Sequence, residues 1–252
     1  MKGHQLLDGK CVIVTASAGA GIGFATAQRC AEEGARVVLS DIHQRRLQES
    51  AEKLAPLLGE KPLAVLCDVT KEADVARLFD TAIVKHDRID VLVNNAGLGG
   101  TQNVVDMTDA EWLRVIDVTL HGTFRCMRHA LKHMTEKRKG VIVNNASVLA
   151  WRAQAGQSHY AAAKAGVMAL TRCAAIEAAP FGVRINAVAP SLAMHPFLEK
   201  VTSKELLSEL TSREAFGRAA EPWEVANVIV FLSSEYSTYM TGEVVSVSNQ
   251  HA

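Results

Sequence analysis

The chain has 252 residues, 48% of them hydrophobic, and its 27 Lys and Arg balance 27 Asp and Glu for a formal net charge of +0. That suits one large α/β domain with a sizeable core, and it leaves no basic excess for nucleic acid or an anionic membrane. Cys11, Cys30, Cys67, Cys126 and Cys173 are scattered without a C-x-x-C, no apolar run reaches the ~18 residues of a membrane span, and the first five residues lack a signal-peptide core. The expectation is a soluble cytoplasmic protein with reduced thiols.

Short apolar runs alternate with helical patterns. Strands are expected over 11–14, 37–39, 63–67, 91–93, 141–143, 183–188 and 244–247. Between them helices are expected over 22–34, 44–58, 72–86, 109–137 (with Thr108 as N-cap), 159–179 and 222–232. Residues 192–215 are less regular, with Phe197, Val201, Leu206, Leu207 and Leu210 at helical spacing, and read as a lid over an apolar substrate or an ordinary surface helix pair. Continuous apolar strands separated by helices mean one doubly wound, parallel, seven-stranded sheet covered on both faces, a Rossmann fold, in a single domain over 1–252.

The first strand ends in Thr15-Ala16-Ser17-Ala18-Gly19-Ala20-Gly21-Ile22-Gly23, and a helix follows. Small residues permit a tight turn and close backbone approach, and the helix N-terminus offers N–H groups to a pyrophosphate. Asp41 ends the second strand, 18 residues after Gly23. A carboxylate there accepts from ribose hydroxyls and repels a 2′-phosphate, which favours NAD over NADP; Arg45 and Arg46 weigh the other way, and a helix cap is the plainer role. Asp68 either meets an adenine amino group or caps the next helix. Asn94-Asn95-Ala96-Gly97 closes the fourth strand, with amides to tie strand ends and small residues to admit a flat ring.

Ser147 closes the fifth strand at the sheet edge where ligand crevices lie. Thirteen residues on, Tyr160 and Lys164 are spaced four apart, on one face of a helix. A phenol has a pKa of about 10, and a nearby ammonium favours the phenolate, so the pair is a candidate proton-transfer site. Alone, such a pair is more often a packed ring beside a solvated amine.

Taken together, the glycine-rich turn, Asp68, Asn94-Asn95-Ala96-Gly97, Ser147, Tyr160-x-x-x-Lys164 and Asn186-Ala187-Val188-Ala189-Pro190 resemble the short-chain dehydrogenase/reductase family over essentially the whole chain. The resemblance implies that Tyr160 is the general acid/base, that Ser147 orients the substrate oxygen, and that Lys164 binds the nicotinamide ribose and lowers the tyrosine's pKa. It implies a cofactor site of Thr15, Ser17, Gly21, Ile22, Gly23, Asp41, Asp68, Val69, Asn95, Ala96, Gly97, Tyr160, Lys164, Pro190 and Ser191, and a homotetramer paired partly through the two helices beside the site.

Four places depart from the family pattern. Ala16 replaces the first glycine, with one extra residue before Gly21. Thr119 stands where an asparagine organises a water-linked proton path, and either substitutes catalytically or leaves that path to run otherwise. Ser191 and His195 replace a glycine and a threonine that touch the cofactor, and Ser248-Asn249-Gln250 stands where a Gly-Gly pair is common. These departures, with Ala150-Trp151-Arg152-Ala153-Gln154 and the string from Gly242 to Ser248, resemble a narrower group: actinobacterial dehydrogenases of sterol ring C/D breakdown, acting on bicyclic hydroxy/keto acyl-CoA intermediates.

The implied function is NAD-dependent interconversion of a secondary alcohol and a ketone on a cyclic or CoA-linked substrate. The rivals are an NADPH-dependent 3-oxoacyl-carrier-protein reductase and a non-enzymatic nucleotide sensor or scaffold on the same fold. On the substrate side, Trp151 is an apolar wall or a core tryptophan, and Arg152 meets a CoA phosphate or is solvated. His159 is given no catalytic role. His129 and His133 lack a third ligand and read as a solvated face, so no metal site is expected.

Overall fold

The computed structural model describes residues 3–194 and 204–249. His195, Phe197, Val201, Gln250 and the middle of the expected lid lie outside the described residues.

Seven parallel strands form one sheet in the order β3-β2-β1-β4-β5-β6-β7. They are β1 (Cys11–Thr15), β2 (Arg36–Asp41), β3 (Leu63–Leu66), β4 (Val91–Asn94), β5 (Gly140–Asn145), β6 (Val183–Pro190) and β7 (Val244–Val247). Between them run α1 (Ile22–Glu32), α2 (Gln44–Leu58), α3 (Glu72–His86), α4 (Asp109–Ile116), α5 (Gly122–Lys137), α6 (Ser158–Ala178), α7 (Lys204–Ser212) and α8 (Pro222–Ser233). The expected elements are present with small shifts at their ends.

The strands are apolar throughout because both faces are covered. Val12, Val14, Val37, Leu39, Val91, Val93, Val141 and Val143 pack toward α1, α2 and α8. The alternate residues Ile13, Val38, Leu92, Ile142 and Ile185 pack toward α3, α5 and α6. Strand order reverses between β1 and β4, so their carboxyl ends part and open a crevice there.

The helix expected over 109–137 starts with a capping box, Thr108 accepting from Glu111 N while the Glu111 carboxylate accepts from Thr108 N. One turn, Asp117–His121, is a π-helix that joins α4 to α5. Periodicity gave no sign of it. Gly122, which follows, lets this turn press on the chain after β3: a Cβ there would lie 2.6 Å from Val69 Cγ2.

Candidate active site

At the β1–α1 turn the backbone is what stays open. Gly21 is the N-cap of α1, with no side-chain cap and no acidic residue in the first turn, and a Cβ on it would meet nothing within 4 Å. Gly23 is different: a Cβ would lie 2.1 Å from Ala16 O and 2.5 Å from Asn95 Nδ2. Ala16 takes the left-handed conformation, φ 49°. Uncapped N–H groups at a helix N-terminus, without a carboxylate nearby in that first turn, fit an anionic pyrophosphate.

The hydroxyls of this turn face inward. Ser17 is fully buried; its Oγ donates to Ser40 O at 3.2 Å and accepts from Ser40 N at 3.0 Å. Thr15 Oγ1 accepts from Asn95 N and Ala96 N, each at 3.0 Å. Both side chains brace the turn. Gly19 N donates to Ser50 Oγ at 3.1 Å, a brace with no signal in the motif.

Asp41 is buried, and its carboxylate accepts from Ala18 N at 3.1 Å and His43 N at 2.9 Å. It therefore ties the glycine-rich turn to the start of α2, whose N-cap is His43. Burial pushes its pKa up, opposed by the bond from Ala18 and by the charge of Arg46. Arg45 is exposed and 3.6 Å from Glu49. Asp68 accepts from Thr70 N at 3.0 Å and from Thr70 Oγ1 at 2.7 Å, turning the chain toward α3, where Lys71 is the N-cap. Val69 is buried against the π-turn.

Amides lace the strand ends. Asn94 Nδ2 donates to Asn144 Oδ1 at 2.9 Å, and Asn144 Nδ2 to Thr171 Oγ1 at 2.9 Å. One residue nearer the crevice, Asn145 Nδ2 donates to Asn95 Oδ1 at 2.9 Å, and Asn95 Nδ2 to Ala16 O at 3.0 Å. The part of Asn145 was missed in the sequence, since its partner is 50 residues away.

The structure brings Ser147, Tyr160 and Lys164 together. Ser147 lies beside the Tyr160 hydroxyl and favours its ionised form, and Ser147 Oγ accepts from Leu149 N at 3.2 Å. Lys164 Nζ lies 5.6 Å from the centre of the Tyr160 ring and donates to Asn145 O at 2.5 Å. Gly97 leaves room for that amine, since a Cβ there would be 3.3 Å from Nζ. Thr119 Oγ1 accepts from Leu98 N at 3.0 Å and can donate to Leu98 O at 3.2 Å, and a Cβ on Gly97 would lie 3.8 Å from it.

Burial raises the Tyr160 pKa, with Ser147 acting against it, and brings Lys164 from 10.5 down to about 8. Desolvation is the largest cause for both groups, and the hydroxyl of Ser147 is a neighbour that favours the phenolate.

Trp151 and Arg152 sit apart from this trio. They line a cavity of about 600 Å³ against Ala161, Ala162 and Ala165, a different face of α6 from Tyr160 and Lys164. Trp151 is 52% exposed, so it is no core residue. His159 is buried, with Gly100 close to its ring. His129 pairs with Glu72 and stacks on Phe79, and no cluster of three metal-ligating side chains exists among the described residues. No helix among them is long and apolar enough to cross a membrane. Pro190 ends β6, paired with Val247, and Ser191 follows it with its N–H on Val247 O at 3.1 Å.

Known proteins resemble this chain along its whole length. A family model described as enoyl-(acyl carrier protein) reductase matches residues 16–249. A (5R,7aS)-5-hydroxy-7a-methyl-1-oxo-2,3,5,6,7,7a-hexahydro-1H-indene-carboxyl-CoA reductase of Mycobacterium tuberculosis is 63% identical, the match covering 99% of this chain and 95% of the relative. A cis-4-hydroxycyclohexanecarboxylate dehydrogenase of Sinomonas cyclohexanicum is 41% identical, over 94% of each chain. The crystal structure of a short chain dehydrogenase from Mycobacterium smegmatis superposes with a TM-score of 0.88 at 58% identity, covering 100% of this chain and 97% of that one.

Proposed function

The chain belongs to the short-chain dehydrogenase/reductase family, whose members use a nicotinamide cofactor, and we propose that it interconverts a secondary alcohol and a ketone on an alicyclic, CoA-linked acyl substrate with NAD(H). The enzyme is an oxidoreductase. The bound nicotinamide supplies or accepts the hydride. Tyr160 gives a proton to the ketone oxygen in reduction and takes it back in oxidation, while Ser147 hydrogen-bonds the same oxygen and fixes its direction. Lys164, anchored on Asn145 O, holds the ribose beside the tyrosine. Thr119 acts one step away, by holding the Leu98 backbone behind Gly97 and Lys164.

The observation that carries this reading is the Ser147–Tyr160 hydroxyl pair with Lys164 beside the ring, at the carboxyl end of β5. Gly21, Ile22 and Gly23 would hold the pyrophosphate, Asp41 the adenosine ribose, Asp68 and Val69 the adenine, Asn95, Ala96 and Gly97 the inner ribose and ring, and Pro190 and Ser191 the carboxamide side. The relatives' names support a cyclic substrate, an indene-carboxyl-CoA and a hydroxycyclohexanecarboxylate, and the first of them supports a fused-ring acyl-CoA. Because Trp151 and Arg152 lie round the start of α6, they would meet only the far portion of a long substrate, such as the CoA moiety.

A homotetramer fits the apolar groove between α5 and α6, where Phe124, Met127, Leu131 and Leu170 line one surface. Five free thiols, one of them exposed, fit the cytoplasm.

Tyr160→Phe tests the chemistry. Turnover of 4-oxocyclohexanecarboxyl-CoA should fall by about 10³-fold while NADH fluorescence titrations stay as in the parent enzyme; an active variant sinks the assignment. The cofactor choice is tested by kcat/KM with each reduced cofactor. NADH should win by roughly tenfold or more, one step of 1.4 kcal/mol, and Asp41→Ala should erase most of that margin. A parent enzyme that prefers NADPH would instead favour the carrier-protein reductase.

A further inference from the structure

The chain that leaves β6 is held by a carboxylate the sequence did not flag. Glu214 is 3% exposed. Its Oε2 accepts from Ser191 Oγ at 3.1 Å, and its Oε1 accepts from Leu192 N at 3.4 Å. Its own backbone is fixed on both sides: Glu214 N donates to Thr211 O at 3.1 Å, and Gly217 N donates to Glu214 O at 2.8 Å. Ala215 N reaches Asn249 O at 2.9 Å, and Ala220 takes Leu192 O and Met194 N at 2.8 and 2.9 Å. Residues 191–194, 214–220 and 247–249 thus form one clamp at the carboxyl end of β6, with Glu214 at its centre. Next to it, Ala146 N donates to Val188 O at 2.8 Å, one residue before Ser147.

A carboxyl group is costly to bury, and an apolar side chain would fill the same space more cheaply. What the carboxylate adds is direction, through a hydroxyl and an amide of two successive residues. The Ser191 hydroxyl and the Glu214 carboxylate form a matched pair.

We propose that Glu214 is a positioning residue for hydride transfer: it fixes Ser191 and Leu192, and through them the wall against which the nicotinamide end of the cofactor is seated. This rests on the dehydrogenase reading of the crevice. The carboxylate touches no reacting atom. Its effect is to hold the donor–acceptor distance, on which the hydride step depends steeply.

The test uses the full-length enzyme with Glu214→Ala, Glu214→Gln, Ser191→Ala and the Ser191→Ala/Glu214→Ala pair. Each is assayed on the ketone that the parent enzyme reduces, with NADH carrying protium or deuterium at C4. Glu214→Ala should lower kcat about tenfold or more and raise the deuterium isotope effect on kcat/KM, with the NADH dissociation constant changed less than about threefold. Glu214→Gln, which keeps one acceptor, should recover most of the rate. The double variant should be no worse than Glu214→Ala, because Glu214→Ala already removes the one bond that Ser191→Ala removes.

A Glu214→Ala enzyme that only melts earlier, with rate and isotope effect unchanged, overturns the proposal. If that variant does not fold, Ser191→Ala decides it: a raised isotope effect supports the proposal, and a parental one refutes it. An active Tyr160→Phe enzyme would topple the reading of the crevice itself; an inactive one beside normal Glu214 variants would topple this inference alone.

Discussion

At the β1–α1 turn the atoms left open are backbone N–H groups, and the side chains of Thr15, Ser17 and Asp41 are engaged with neighbouring backbone. Across the crevice, at the start of α6, the relation is reversed. There the α6 backbone is closed in a helix, and side chains gather instead: buried Ser147 after β5, half-buried Tyr160, and buried Lys164 at 5.6 Å from the tyrosine ring centre. The first end is shaped by where the chain can go, so its tolerance is set by Cβ atoms. The second is shaped by desolvated polar groups, so its tolerance is set by charge and hydrogen bonding. The two ends should therefore fail in different ways.

The largest expected difference is within the turn itself. Gly23→Ala puts a methyl 2.1 Å from Ala16 O and 2.5 Å from Asn95 Nδ2, and both of those atoms are already fixed by the Asn95–Ala16 bond at 3.0 Å. The substitution should cost roughly 2–4 kcal/mol of stability and most of the NADH affinity. Gly21→Ala, with nothing within 4 Å of its added carbon, should cost less than about 1 kcal/mol. Thermal unfolding and NADH fluorescence titration on the two variants read both effects. Equal losses would mean that crowding by a Cβ does not govern this end.

At the other end the variable is pH. Lys164 titrates near 8 in the folded chain against 10.5 as a free side chain. The folded value is the lower one, so between those two pH values the unfolded chain binds more protons. Stability then rises with pH across that window, and the full penalty, about 3 kcal/mol, is present below it. Lys164→Met removes the penalty along with the bond to Asn145. Its melting temperature should exceed the parent's at pH 7, the gap should close toward pH 10, and turnover should fall by about two orders of magnitude. Calorimetry at the two pH values checks the sign. A Lys164→Met protein less stable than the parent at pH 7 would mean the ammonium is well solvated by its surroundings.

This contrast also explains what could be read from the sequence. Sheet, helices and the shared face of Tyr160 and Lys164 follow from local periodicity, and the observed strands and helices match those expectations to within a few residues. The π-turn at Asp117–His121 was hidden, because its five residues lie inside one continuous helical run from α4 to α5. The bracing by Ser17 and Thr15 gave no sign, because a hydroxyl in a ligand loop looks the same whether it faces a ligand or, as Ser17 and Thr15 do, the neighbouring strands β2 and β4. Asn145 and Glu214 gave no signal, since each acts on a partner 50 or 23 residues away. Residue types at the chemical end carried their meaning locally, whereas bracing at both ends is a property of the folded chain.

The smallest effect concerns the residue that departs most plainly from the family's turn. Ala16 has φ 49°, a region where an L-residue with a side chain pays about 1–2 kcal/mol and glycine does not. Ala16→Gly relieves that strain but loosens the unfolded chain, at a cost of about 0.4–1 kcal/mol. The balance is a stabilisation of about 0.5–1 kcal/mol, or a rise of about 1–4 °C in melting temperature for a chain of this size. NADH affinity should not move, because the Ala16 carbonyl keeps its bond from Asn95 in either variant. A fall in melting temperature would mean that the Ala16 methyl packs more favourably than its backbone is strained. The turn would then depend on side-chain packing as the α6 end does, and the contrast between the two ends would lose its physical basis.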